Sequence, residues 1–364
     1  MAQLLNIAFR KPSKIKNINI EVKKEPNEME KSFFFSSDKR PKNIQIKKDI
    51  INHFVNNGND TIAELAKALD LSVPTVTKLI AELSDRGLVA DFGKIQTTGG
   101  RYPNVYGLNP SSVYFVGVDM TRHHLHIALM DFKGNIVKYE MGISYMYENT
   151  TESFEILCEH IQKFINGTGE LKQKIYNICL NISGRVNPDS GYSYSSFYFS
   201  EEPISNILSN KLNYKVTIDN DTRSMAYGEF MKGAVQGESN VIFVNISWGL
   251  GIGIVIDKKL YYGKSGFSGE FGHFPIFDNE ILCHCGKKGC LETETSGLAI
   301  HRIILERIKS GESSILTQHV KDLDKLTLTD IIKATNMEDP LCIEIVEEVG
   351  MKLGKYIAGL INIF

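Results

Sequence analysis

One stretch, residues 265–297, restricts the fold of this chain more than any other. It reads Gly269-Glu270-Phe271-Gly272-His273 and, after a short gap, Cys283-His284-Cys285-Gly286-Lys287-Lys288-Gly289-Cys290-Leu291-Glu292. One imidazole and three thiolates, from His273, Cys283, Cys285 and Cys290, form a complete tetrahedral donor set. Soft sulfurs with a borderline nitrogen suit Zn²⁺ over a hard cation, and four protein ligands leave no open position for a reacting water, so the expected site is structural zinc. Gly286 and Gly289 fit a chain that doubles back around an ion, because glycine tolerates positive φ. His284 is the alternative imidazole and can replace one ligand. The competing reading, unconnected buried cysteines in a reduced protein, leaves the knuckle-like spacing unaccounted for.

At 364 residues the chain is long for a single core, and two or three domains are expected. The longest apolar runs, residues 242–244 and 252–256, have strand length, and the N-terminus is polar and basic without the apolar core of a signal peptide. No membrane partner is expected. Cys158, Cys179 and Cys342 are scattered and the other three cysteines cluster, which fits a reducing cytoplasm better than a disulfide framework. The formal net charge of −2 conceals an asymmetry: residues 1–101 carry 17 Lys and Arg against 12 Asp and Glu, and the remainder carries 24 against 31. The basic end is the candidate for a polyanion.

Residues 1–43, with Pro12, Pro26, Pro41 and no sustained apolar period, read as a flexible basic tail in which Phe33-Phe34-Phe35 is a short sticky exception. Residues 44–110 read as a winged helix-turn-helix. Ile46, Ile50, Phe54 and Val55 mark one helix face that Asn57-Gly58 ends, and Thr61-Ile62-Ala63-Glu64 has the form of a capping box. Ile62, Leu65, Ala66 and Leu69 define a second helix. A third, over residues 73–86, is capped by Ser72, admits Pro74 in its first turn, and buries Val76, Leu79, Ile80 and Leu83. Its start would meet a major groove, with Ser72, Thr75, Thr77 and Lys78 as contact candidates. The alternating residues 105–108, after the segment 91–103, complete a β-hairpin wing whose basic, hydroxyl-rich tip offers Lys94, Thr97, Thr98 and Arg101 to DNA. A three-helix bundle without a DNA role would not need that wing.

Residues 111–364 alternate strand and helix patterns. Strands are expected over 113–119, 124–130, 175–182, 216–218, 241–246 and 254–257, and helices over 153–165, 203–212, 298–310 and 342–363. His123, His124 and His126 read as an ordinary strand surface, since no thiol or acid joins them. Asn220-Asp221 follows a strand, where open α/β sheets bind ligands; it can hydrogen-bond a polyol or simply cap a helix. Gly249, Gly251 and Gly253 are compatible with a phosphate-cradling bend or with a hairpin.

The order of these pieces, with Glu270-x-Gly272-His273, the spaced cysteines, Gly289-Cys290-Leu291-Glu292, Ser296-Gly297 and Asn220-Asp221, resembles the ROK (repressor, ORF, kinase) family over about residues 44–364. The similarity is to its transcriptional-repressor branch of xylose and N-acetylglucosamine regulators. It implies an α/β, actin-like (sugar-kinase, ribonuclease H-like) two-lobed domain over residues 111–364, with zinc at the foot of a sugar cleft. It also implies sugar contacts from Gly184, Asn220, Asp221, Glu270, His273 and Glu292, and His273 would then bind the metal through one ring nitrogen and face the sugar through the other.

Departures from the family pattern bear on activity. Where ROK kinases read Asp-x-Gly-Gly-Thr-Lys, this chain reads Asp119-Met120-Thr121-Arg122-His123-His124, without the glycines that let backbone N–H groups approach ATP phosphates. Ser247-Trp248-Gly249 stands for Gly-Thr-Gly, and Arg223 replaces a frequent Asn. Asp221, matching the kinase base, is then vestigial, because a base without a positioned γ-phosphate transfers nothing. The expectation is a non-enzymatic, sugar-responsive DNA-binding regulator, a repressor of carbohydrate-utilisation genes. It would act as a homodimer or homotetramer on operator DNA with a sugar or sugar-phosphate effector. An active ROK-type sugar kinase acting with ATP on a hexose or amino sugar is the alternative. The family pattern continues past the last helix, so a C-terminal truncation is also expected.

Overall fold

The computed structural model describes residues 41–95, 102–320 and 322–364. The expected tail up to residue 40 and the wing tip at Thr97, Thr98 and Arg101 lie outside the described residues. Two compact units divide between Asp221 and Thr222.

The first unit opens with α1 (Pro41–Asn57), three residues ahead of the expected start. A two-residue strand β1 (Asp60–Thr61) leads into α2 (Ile62–Ala68), and α3 (Val73–Asp85) follows. Thr61 accepts from the Glu64 N–H at 3.2 Å, which is one half of the expected capping box. Ser72 caps α3, and the buried residues of α3 are Val76, Leu79, Ile80 and Leu83, the stripe that the 3.6-residue period requires. The wing strands β2 (Val89–Lys94) and β3 (Asn104–Leu108) pair antiparallel, with β1 on the far edge of β3. Lys47, on the apolar stripe of Ile50, Ile51 and Phe54, is only 1 % exposed and meets Glu82 of α3 at 2.7 Å. Burial of an ammonium is tolerated here because its counter-charge lies within hydrogen-bond reach.

Next come β4 (Tyr114–Met120), β5 (His124–Asp131), β6 (Ile136–Ser144) and α4 (Thr151–Asn166). A 3₁₀ turn at Gly169–Lys174 leads to β7 (Ile175–Ile182), the short pair β8 (Val186–Asn187) and β9 (Tyr192–Ser193), α5 (Ile204–Leu212) and β10 (Val216–Asn220). The sheet order is β10-β7-β4-β5-β6, parallel across β10, β7 and β4 and antiparallel beyond. Alternation sends Val116, Val118 and Met120 to one face, against Phe154, Leu157 and Ile161 of α4. Phe115, Phe132 and Cys179 join instead the core of the helix-turn-helix, with Ile51, Leu79, Leu88 and Leu108. No break in packing marks the expected boundary at Pro110: the Asn109 N–H donates to Leu88 O (2.9 Å) and the Phe132 N–H to Pro110 O (3.3 Å).

The second unit takes up α6 (Asp221–Lys232) from Thr222 onward, then β11 (Val241–Ile246), β12 (Leu250–Ile256) and β13 (Lys259–Leu260). The strand expected at 254–257 begins earlier, at Leu250, so Gly251 and Gly253 lie inside a hairpin strand and form no phosphate bend. A Cβ on Gly253 would overlap Ala226, and one on Gly251 would crowd Thr222 at 2.9 Å, so these glycines let α6 approach the sheet. The remainder is α7 (Glu292–Thr295), α8 (Gly297–Lys309), α9 (Leu316–His319), α10 (Leu328–Asn336) and α11 (Pro340–Ile361). Their core centres on Ile304, Ile331, Cys342 and Ile345.

Candidate functional site

In the second unit the chain leaves β13, passes Gly269, makes the 3₁₀ turn Phe271–His273 and then closes the cysteine knuckle. Gly269 (φ 91°) and Gly272 pass so close to β12 that a Cβ on either would overlap a carbonyl, of Ile252 and Leu250 respectively. Gly289 (φ 68°) is held under the Phe277 carbonyl in the same way. The knuckle is closed by Gly286 N–H to Cys283 O (2.9 Å), Cys283 N–H to Lys287 O (2.8 Å) and Lys287 Nζ to His273 O (2.7 Å).

These constraints bring one donor atom from each of His273, Cys283, Cys285 and Cys290 within 4.8 Å of one another. Bonds of about 2.3 Å to sulfur and about 2.0 Å to nitrogen place neighbouring donors of a tetrahedral ion roughly 3.5–3.8 Å apart. Cys285 and Cys290 sulfurs are 3.6 Å apart, and Cys283 Sγ lies 3.5 Å from His273 Nδ1. The four residues singled out from the sequence thus come together in a group that could hold a metal ion. Burial pushes the Cys283 thiol upward, and the Glu292 carboxylate, 3.5 Å from its sulfur, adds to this.

His284 shares in this region as a partner of Glu292, a role that the spacing of the motif does not reveal. Its Nδ1 is 3.0 Å from Glu292 Oε1, while Leu250 N–H donates to Oε2 at 2.9 Å. Burial works to raise the Glu292 carboxyl, but the His284 and Leu250 bonds outweigh it and hold the group below its ordinary value. The bond to Glu292 raises His284. His273 Nε2 lies 3.8 Å from Glu270 Oε2, so the ring nitrogen opposite the cysteines faces a carboxylate.

In the first unit, Gly184 (φ 86°) turns the chain after β7, and Asn220 Nδ2 donates to its carbonyl at 3.0 Å. Ser183 Oγ donates to Asp221 Oδ2 at 2.6 Å. Asp119, at the end of β4, stands opposite Asn181 and His126 in register. Burial raises its carboxyl, the charge of Asp221 adds to this, and His126 opposes it. His126 Nδ1 itself accepts the Gly142 N–H at 3.0 Å, in keeping with an ordinary strand position.

Two features disfavour nucleotide phosphates. The Gly297 and Leu298 N–H groups at the start of α8 are already bonded to Ser247 O (2.8 Å) and Trp248 O (3.1 Å), and the Trp248 ring packs edge-on against His301 of the same helix, 5.2 Å between centroids. A helix N-terminus binds anions through free N–H groups, and these two are taken.

On the DNA-reading side, Ser72, Thr77 and Lys78 are exposed, Thr75 is half-buried, and Lys94 is exposed on β2. Ser72 Oγ and Thr75 Oγ1 share a hydrogen bond (2.8 Å), and Thr77 Oγ1 donates to Val73 O (2.8 Å). Lys78 Nζ is 3.9 Å from Glu82, at the limit of an ion pair.

The fold, the cysteine knuckle and the Glu270–His273 turn define a class, and this chain belongs to the ROK family, whose model matches residues 115–364. A MarR family model matches residues 46–91, the helix-turn-helix. Among relatives, the xylose repressor of Caldicellulosiruptor bescii is 30 % identical over 303 residues, covering 83 % of this chain and 76 % of that protein. The DNA-binding transcriptional dual regulator NagC of Escherichia coli K12 is 32 % identical over 304 residues, covering 83 % and 73 %. A solved ROK family transcriptional regulator, a homologue of the E. coli MLC protein, superposes with a TM-score of 0.73 at 26 % identity, over 89 % of this chain and 81 % of that one.

Proposed function

We infer that this chain is a sugar-responsive, DNA-binding transcriptional repressor of carbohydrate-utilisation genes, and that it does not act as a kinase. The observation that carries the reading is the union of a helix-turn-helix with a ROK domain whose helix start at Gly297–Leu298 has no free N–H for a phosphate. The relatives that match 83 % of this chain are a xylose repressor and a DNA-binding transcriptional dual regulator.

The α3 start, with Ser72, Thr75, Thr77 and Lys78, and the wing with Lys94, Thr97, Thr98 and Arg101, would contact the operator. Gly184, Asn220 and Asp221 of the first unit are proposed as hydroxyl partners for a sugar or sugar phosphate, as are Glu270, His273 and Glu292 of the second. A Zn²⁺ ion on His273, Cys283, Cys285 and Cys290 would supply rigidity and fix the His273 tautomer, leaving its Nε2 for the effector. A homodimer or homotetramer in a cytoplasm would present paired readers to an inverted repeat.

The test has two arms. Enrichment from a random duplex pool should recover an inverted repeat, and a thermal-shift screen of sugars and sugar phosphates should find a stabilising effector. ATP-dependent phosphorylation of any sugar in the same panel would replace this reading with that of a sugar kinase carrying a DNA module.

A further inference from the structure

Arg223 is the largest fully buried side chain among the described residues, 1 % exposed in the first turn of α6. Its Nη1 donates to Gly266 O at 2.6 Å, and its guanidinium lies 5.3 Å from the Tyr262 ring centroid. A guanidinium is withdrawn from water only where acceptors and a ring face replace the lost hydration. The segment it grips has no regular structure of its own. Gly266 (φ 79°) turns it, Ser268 Oγ donates back to Tyr261 O, and the Ser268 N–H donates to Tyr262 O at 3.3 Å. Directly after it, the Ile252 N–H donates to Gly269 O at 3.2 Å, and Glu270 begins the turn that ends at His273. A long donating side chain is needed to reach from α6 to Gly266 O, and a planar guanidinium can in addition lie against the Tyr262 ring; the Asn common in kinases at this position is too short.

We propose that Arg223 is a positioning residue for the effector site: it fastens the 262–268 loop to α6, so that Glu270 and His273 are pre-oriented before the effector arrives. This rests on the sugar-regulator reading, and deepens it by naming what holds the effector loop. Preorganisation removes an ordering cost from binding, so loss of the clamp appears in effector affinity and not in the DNA-reading helix.

The experiment compares the full chain with Arg223→Asn, Arg223→Lys and the milder Tyr262→Leu. Hydrogen exchange over residues 262–272 is measured without any sugar, and calorimetry and operator affinity at fixed salt with the effector found by the panel. The expected result is exchange at least ten-fold faster over 262–272 in Arg223→Asn, with the rest of α6, β11 and β12 unchanged. Effector affinity should fall at least ten-fold, operator affinity without effector should stay within two-fold, and Arg223→Lys should recover part of both losses. Unchanged exchange over 262–272 in both Arg223→Asn and Tyr262→Leu would overturn the proposal, as would uniform acceleration across the unit with no recovery in Arg223→Lys. If no sugar binds the wild-type chain, the regulator reading fails by itself, while the exchange data still decide whether Arg223 holds the loop.

Discussion

The helix-turn-helix region and the knuckle region reach order by opposite means. The reader is joined to the first sheet by side chains that leave water together: Phe115, Phe132 and Cys179 sit in one core with Ile51, Leu79 and Leu108. At about 25 cal/mol per Å², such burial is strong, non-directional and tolerant of detail. Residues 262–292 share only a small apolar cluster, in which Phe271, Ile276, Phe277 and Leu291 pack with Leu250 and Leu353, and add to it directional links, namely the thiol–imidazole cluster, the Arg223–Gly266 bond and the pair formed by Glu292 with His284 and Leu250. The first region can transmit a displacement as one body; the second can change shape when one link changes. A receptor that must feel a small polar ligand at one place and report at another needs both kinds of matter.

The largest effect is expected at the knuckle. Cys285→Ser should abolish the metal binding proposed for the cluster and cost roughly 4 kcal/mol or more of stability, since ion binding and local folding would be one equilibrium. Metal analysis with calorimetry checks this, and full metal content in the variant would remove the contrast. Phe115→Ala should cost about 3–5 kcal/mol by opening a cavity in the shared core. Reader and sheet should melt together when followed by exchange; separate melting would break the idea of one body.

Asp339 sharpens the comparison, because it brings a directional link into the apolar helical part of the second unit. Its carboxylate accepts the Cys342 and Ile315 N–H groups, each at 2.8 Å. Burial works to raise this carboxyl, but the two N–H bonds outweigh it and hold it below its ordinary 3.8. Its contribution is thus fully present above that value and lost as pH falls through the lower folded one. Asp339→Asn should cost about 1–2 kcal/mol at pH 7 by chemical denaturation, and less at pH 3. The smallest effect belongs to Lys78→Gln, which should lower the salt dependence of operator affinity by about one phosphate contact and leave stability unchanged.

The two regions were also unequally legible in the sequence. The reader announced itself by period: Val76, Leu79, Ile80 and Leu83 are the buried residues of α3, and Ser72 is its cap. Hydrophobic spacing states which face is buried but not against what, so the boundary placed at Pro110 gave no hint that Phe115 and Phe132 complete the reader's core. Lys47 carried a signal, since it falls on the apolar stripe of α1, yet its partner Glu82 is on another helix. At the knuckle, residue type and spacing were enough to say which side chains gather, and His273, Cys283, Cys285 and Cys290 do come together. His284 stays within reach of a metal together with His273 and Glu292, and its 3.0 Å pairing with Glu292 is what the motif's spacing does not state. Arg223 was visible as a departure from the kinase pattern, but its grip on Gly266 depends on a loop path that no local period encodes.

Sugar-linked repression is tested most directly by one titration: fluorescence anisotropy of an enriched operator duplex with the full chain at fixed salt, with and without the sugar selected by thermal shift. A sugar that prefers one arrangement of the protein should change operator affinity by about 5- to 150-fold, and by linkage the operator should change sugar affinity by the same factor. Sugar binding that leaves operator affinity unaltered would contradict it.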